Sequence, residues 1–281
     1  MTGDVCAGWA LDWKASPMIK TILAIHAHPD DVEILAAGTL AQLSAAGHRV
    51  MIISMTPGDC GSRDCAPEEI AAIRRKEAAA AARLIGAAYR CAEFRDLAIF
   101  NNDASRRRVT EVLRAVRPDV VMTAAPVDYM CDHDATSRLV RDACFAAPAP
   151  NYATASVPPA PALSTIPHLY FMDPIGGVDR ENRPVPADFY VDIGLQFETK
   201  RAMLAEHASQ REWLLAQHGM DDYLLTMEIW TREAGHRAGV VFAEGFRHYK
   251  GHPYPATPLL EDLLGQAIRQ PARPARDSAC P

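Results

Sequence analysis

The chain has 281 residues, 49% of them hydrophobic, which suffices for one compact core and makes a single domain the expectation. Its 29 Lys and Arg against 35 Asp and Glu give a formal charge of −6, and the basic residues form no stripe, so nucleic acid is excluded as an expected partner. No run of 18 apolar residues and no basic-then-apolar leader occurs, and the seven cysteines are odd in number and scattered; the reading is a cytoplasmic protein with free thiols that neither spans a membrane nor is exported.

Residues 1–17 read as a peripheral tail. The apolar run "TILAIHA" (21–27) predicts a strand, and "VEILAAGTLAQLSAAGH" (32–48) a helix closed near Gly47. A strand at 49–56, a glycine-containing loop and an Ala-rich helix over 67–85 follow. Next come a strand at 89–94, a helix at 105–117, a strand at 118–125 and a helix at 134–147. This alternation predicts an α/β fold with a doubly wound, mainly parallel sheet, whose ligands sit beyond the carboxyl ends of its strands.

Residues 148–167, rich in Pro, Ala and Ser, read as a long surface loop bordering the site. A small C-terminal elaboration follows: strands at 168–173 and 188–194, helices at 196–217 and 222–236, and a strand at 239–246. From Pro253 onward the chain reads as a tail. The domain is therefore placed at 18–252, with 1–17 and 253–281 as peripheral tails.

His28, Asp30 and Asp31 lie where the first strand hands over to the first helix. One aspartate there is accounted for as a helix cap. A second carboxylate beside it, with a histidine three residues before, fits a divalent metal better. A catalytic zinc usually takes three protein ligands and keeps a position for water, so a third ligand is required. Its best source is "VDYMCDHDAT" (127–136), which follows another core strand and carries Asp128, Asp132, His133 and Asp134. Cys60 and Cys65 are read as loop thiols, since no second pair stands nearby to complete a four-thiolate site.

"AHPDD" (27–31), the "DH" at 132–133, the "RRKEAAAAARLIG" helix, "HASQ" (207–210) and "AEGF" (243–246) together resemble the LmbE-like, or PIG-L-type, zinc-dependent N-deacetylases. The likeness runs from about residue 20 to residue 248 and keeps motif order. It implies a Rossmann-like fold and removal of an N-acetyl group, commonly from a glucosamine unit. By that likeness His28, Asp31 and His133 would bind zinc, with another divalent metal such as Fe2+ left open, and Asp30 would be the general base. Asp132 would orient a ligating imidazole, and Arg74 and Asp96 would contact the sugar. The partner implied is a small amino-sugar substrate; a homo-oligomer is left open.

The chain departs from the family where H-x-D-H is usual: Met130 stands at the first histidine, which would stabilise the oxyanion, and methionine cannot donate that bond. His26, Tyr129 or a C-terminal residue are the candidate substitutes. Without the resemblance, Arg74 and Glu77 read as an ordinary i,i+3 helix pair and Asp96 as a loop residue. His26 reads as a packed group, His207 and Glu244 carry no derived role, and the other histidines, His218 among them, read as structural or solvated. Two alternatives stand beside N-deacetylation: an amidase releasing a larger acyl group from an amino sugar or thiol conjugate, and a non-catalytic sugar- or nucleotide-binding module. No G-x-G-x-x-G follows the first strand, which counts against a dinucleotide.

Overall fold

The computed structural model describes residues 18–154, 156–211 and 223–272. The expected N-terminal tail, the end of the 196–217 helix with His218, the first residue of the 222–236 helix, and positions 273–281 lie outside these residues.

The first strand, β1 (Thr21–His26), is buried along its whole length, as expected for a strand covered on both faces. Helix α1 (Asp31–Ala45) leads to β2 (Arg49–Ser54), and α2 (Pro67–Arg83), with proline in its first turn, leads to β3 (Ala88–Cys91). Helix α3 (Asp103–Val116) starts where the Asn102 side chain accepts from the Ser105 N–H at 2.9 Å. Strand β4 (Val120–Thr123), helix α4 (Cys131–Ala146) and strand β5 (His168–Met172) follow. The rest comprises β6 (Phe189–Asp192), α5 (Phe197–Ala205), α6 (Tyr223–Ala238), β7 (Ala243–His248), α7 (Leu259–Leu264) and β8 (Ile268–Arg269).

Among the described residues these strands form one eight-stranded sheet, in the order β3-β2-β1-β4-β5-β7-β6-β8. The first five pair in parallel and the last three join antiparallel. Alternate residues feed two cores. Leu23, Ile25, Met51 and Ile53 pack with α3 and α4, whereas Ile22, Ala24, Val50 and Ile52 pack with α1 and α2. The fold is thus α/β, mostly parallel and wound on both faces. Successive strands are added to one side of β1 as far as β3 and to its other side from β4 onward, so the crevice of the switch point opens at the carboxyl ends of the parallel neighbours β1 and β4.

Four elements differ from expectation. Helix α4 begins at Cys131 rather than 134, which puts Asp132 and His133 on its first turn instead of in a loop. The 196–217 helix breaks at residues 206–207, because the His207 side chain turns inward to Glu33 (3.4 Å) and Glu77 accepts from Ser209 N and Oγ to start the next turn. The last long strand runs over 243–248, not 239–246, because Gly239 (φ 72°) first closes α6. Residues 259–269, placed in the tail by composition, form α7 and β8. Leu260 is buried, Tyr170 Oη donates to Glu261 at 2.6 Å, and β8 pairs with β6. "LLEDLL" is too short to show a helical period.

Glu244 gains a role here. Its carboxylate, buried in β7, accepts from Gly38 N (2.9 Å), Thr39 N (2.8 Å), Thr39 Oγ1 (2.6 Å) and Lys200 Nζ (2.7 Å), and Lys200 also donates to Ile34 O (2.6 Å). This clamp fixes α1, whose N-terminus carries Asp30 and Asp31, against α5 and β7. Glu244→Ala strands a buried ammonium and is expected to cost about 3–5 kcal/mol, read as a lower urea midpoint; an unchanged midpoint would show that the clamp is not structural.

Candidate active site

The turn between β1 and α1 is built against ordinary backbone preference. Asp30 sits at φ 104°, ψ −30°, yet its side chain makes no capping bond. A non-glycine residue held there costs about 1–3 kcal/mol and persists only where surroundings impose it. Here they do. Tyr223 Oη donates to Asp30 Oδ2 at 2.6 Å, and Arg74 Nη2 lies 3.6 Å from Oδ1 while donating to Pro29 O at 2.7 Å. The cap explanation therefore fails for Asp30, whose carboxylate faces a cavity of about 500 Å3 instead.

Asp31 points beneath it. Its Oδ2 accepts from His28 N (2.8 Å), meets His26 Nδ1 (2.7 Å), and stands 3.3 Å from both His28 Nδ1 and His133 Nε2. One oxygen thus gathers three imidazoles. Two sets among the described residues bring a metal-binding trio together around them: His28–Asp31–His133 and His26–Asp128–His133. The second is fully buried, whereas His28 and Asp31 of the first line the cavity, so only the first can present an ion to a ligand. The buried set serves the other. Asp128 Oδ2 lies 3.0 Å from His133 Nδ1, which leaves Nε2 facing Asp31, and that buried Nε2 has no hydrogen-bond partner. An orphaned imidazole nitrogen opposite a carboxylate and a second imidazole fits a divalent cation of the zinc type. Asp132 Oδ2 accepts from Leu97 N (2.7 Å) and stands 3.3 Å from His28 Nε2, so it orients the other ring.

Charge follows this geometry. Burial alone would lower the His28 and His133 values, but Asp132 and Asp31 carry His28 up to about 9, and Asp31 and Asp128 carry His133 up to about 10. Burial works to raise Asp31, yet His133 and His26 hold it well below the usual carboxylate range. Asp30 moves the other way: burial pushes it above its ordinary value against the pull of Arg74. Two adjacent carboxylates are thereby driven apart, one fixed as an anion and one able to take a proton. Tyr223 is pushed well above its ordinary value by burial and by Asp30, so its hydroxyl keeps its proton as a donor.

The remaining candidates sort clearly. Arg74 is buried and lines the cavity; Glu77 is not its helix partner but is taken up by Ser209. Gly58 (φ 76°) makes room for it, since a Cβ there would stand 2.2 Å from Arg74 Nη1. Asp96 also lines the cavity, and it clusters with Asp59 and Cys60. Met130 lines the cavity wall. Of its proposed substitutes, His26 is buried away from the cavity, while Tyr129 lines it. Among the described residues of the 148–167 loop none lines the cavity; the loop packs on α3 through Glu111, which accepts from Ala160 N at 2.8 Å. Tyr223, Gln210 and Trp230 line the cavity without having been expected there. Only "HASQ" gave any signal for one of them.

Residues 23–144, from β1 through most of α4, match the family model described as PIG-L, GlcNAc-PI de-N-acetylase. The chain is similar to a diacetylchitobiose deacetylase of Thermococcus kodakarensis, 26% identical over 247 residues that cover 83% of this chain and 84% of that protein. It is also similar to a 4-oxalmesaconate hydratase of Pseudomonas putida, 25% identical, covering 68% of this chain and 74% of that protein. Among solved structures, an N,N'-diacetylchitobiose deacetylase from Pyrococcus horikoshii superimposes with a TM-score of 0.70 at 27% identity, covering 85% of this chain and 88% of that one.

Proposed function

We propose that the protein, whose residues 23–144 match the PIG-L family model, is a divalent-metal-dependent hydrolase that removes the N-acetyl group of an amino-sugar substrate. The observation that carries this reading is the convergence of His28 Nδ1 and the unpartnered His133 Nε2 on Asp31 Oδ2, each at 3.3 Å, beside an Asp30 that faces the cavity rather than capping its helix. The relatives named as deacetylases of diacetylchitobiose support the substrate class.

His28, Asp31 and His133 would hold the ion, which when bound supplies polarisation of the amide carbonyl and a more acidic water. Asp30 takes the proton from the attacking water, its carboxylate aimed by Tyr223 and Arg74, and returns it to the departing amine. Negative charge grows on the amide oxygen as water adds. Met130 offers it nothing, and the Tyr223 hydroxyl, held 2.6 Å from Asp30, is the proton-bearing donor nearest the base. Once Asp30 is protonated that hydroxyl is free to turn to the oxygen.

The test is release of acetate and free amine from N-acetylglucosaminides by zinc-loaded protein. No hydrolysis of any acetylated amino sugar would overturn the reading. Tyr223→Phe is expected to lower turnover on the order of 10²-fold with metal content intact; unchanged turnover would remove Tyr223 from the reaction.

A further inference from the structure

The cavity rim has two unlike halves. On the Asp30 side, Arg74 Nε, Gln210 Oε1 and Asp96 Oδ1 are all buried without hydrogen-bond partners, one donor and two acceptors in side chains that line the cavity. On the side of the two imidazoles, His28 and His133, five of the lining residues are apolar or aromatic: Leu97, Tyr129, Met130, Ile175 and Trp230. Contacts fix that placement. The Leu97 N–H bonds Asp132, the Tyr129 ring lies 5.2 Å from that of His133, Ile175 N reaches Asp128 Oδ2 at 3.4 Å, and Trp230 packs on Gly176.

The apolar half is not a covered core. Leu97 is 61% exposed and Tyr129 63% exposed. Leu97 is moreover held at φ 61°, a conformation a leucine adopts at a cost, by the carboxylate that also orients His28. Strain spent on presenting a bare leucine beside the candidate metal ligands marks a surface meant to be covered by a ligand.

The direction of the amide assigns the two halves. Asp30 must reach both the water and the departing nitrogen, so the amine and its sugar lie on the Asp30 side, where unfilled donors and acceptors suit hydroxyl groups. The acyl substituent then points the other way. Resting on the hydrolase reading above, we propose that the arc of Leu97, Tyr129, Met130, Ile175 and Trp230 is an acyl subsite, and that the preferred substrates are amino sugars N-acylated with an apolar chain longer than acetyl.

The experiment has two arms. In the first, kcat/KM is measured with zinc-loaded protein on N-acetyl-, N-butyryl- and N-octanoylglucosamine; a rise of about fourfold per methylene that reaches the arc is expected. In the second, acetate, hexanoate and octanoate are titrated calorimetrically into the same protein, with octanoate expected to bind tighter. Leu97→Ala and Trp230→Ala should flatten both series. Acetyl turnover with no gain on lengthening, together with equal carboxylate affinities, overturns the acyl subsite and leaves deacetylation standing. No turnover of any amide, with octanoate still favoured and the preference lost in Leu97→Ala, overturns the hydrolase reading and leaves the apolar arc as a binding site. No turnover and no discrimination overturns both.

Discussion

His133→Ala is expected to leave the purified protein without stoichiometric metal. The imidazole is fully buried, its Nδ1 is engaged by Asp128 at 3.0 Å, and its Nε2 faces Asp31 Oδ2 at 3.3 Å, so its loss removes one of the three groups that converge there. Removing the supporting carboxylate, as in Asp128→Ala, should cost on the order of 10- to 100-fold in metal affinity; losing the ligand itself should cost more. Elemental analysis after metal-replete purification checks both, and full zinc occupancy in His133→Ala would sink the assigned site. The same experiment has a pH arm. With values raised to about 9 and about 10, His28 and His133 hold their protons at neutral pH in the metal-free protein. Uptake of the cation must expel them. Raised values mean that protons compete more strongly the lower the pH, so affinity should climb from pH 6 to pH 9. Calorimetry in buffers of different ionisation heat should count about two protons released per ion; affinity flat over that range would contradict the assignment.

How much of this site could be read from the chain depends on sequence distance. His28, Asp30 and Asp31 share one turn, and the strand-turn-helix pattern around them was legible because buried parallel strands are short continuous apolar runs. His133 was reachable through a second turn of the same type. Tyr223 was not: it meets Asp30 across 193 positions of sequence, and nothing local distinguishes a tyrosine that opens a helix from a packed one. Arg74 and Glu77 show the opposite failure. Their spacing offered a plausible local pair, but the two side chains diverge to Pro29 and Ser209. Composition misled at both ends of the architecture too, assigning 259–269 to a tail because two leucine pairs are too few to show periodicity, and placing the 148–167 loop by the site when Glu111 draws it onto α3 instead. The mouth of the cavity is assembled from residues 97, 129–130, 175 and 230, four separate segments whose meeting is a property of the fold.

Asp30→Asn is expected to lower turnover by about 10²- to 10⁴-fold, the range for losing a positioned base, while metal content stays full. The substitution is unusually clean at this position. Asparagine keeps the size and the oxygen that accepts from Tyr223, and it is among the few residues that tolerate positive φ, so the φ of 104° and the start of α1 should survive. What it cannot do is take a proton. The loss should therefore fall on kcat with thermal stability close to wild type, which separates a chemical role from a structural one. The pH profile sharpens the point. Burial holds the Asp30 carboxyl above its ordinary value; a base must be ionised to act, so wild-type activity should be present above that raised value and fade as pH falls through it. In Asp30→Asn the residual activity should lose this acidic limb and follow metal occupancy alone. A mutant that turns over at the wild-type rate, or keeps the wild-type acidic limb, would move the base to another group, and Asp30 would then remain a strained residue whose carboxylate meets Tyr223 and Arg74.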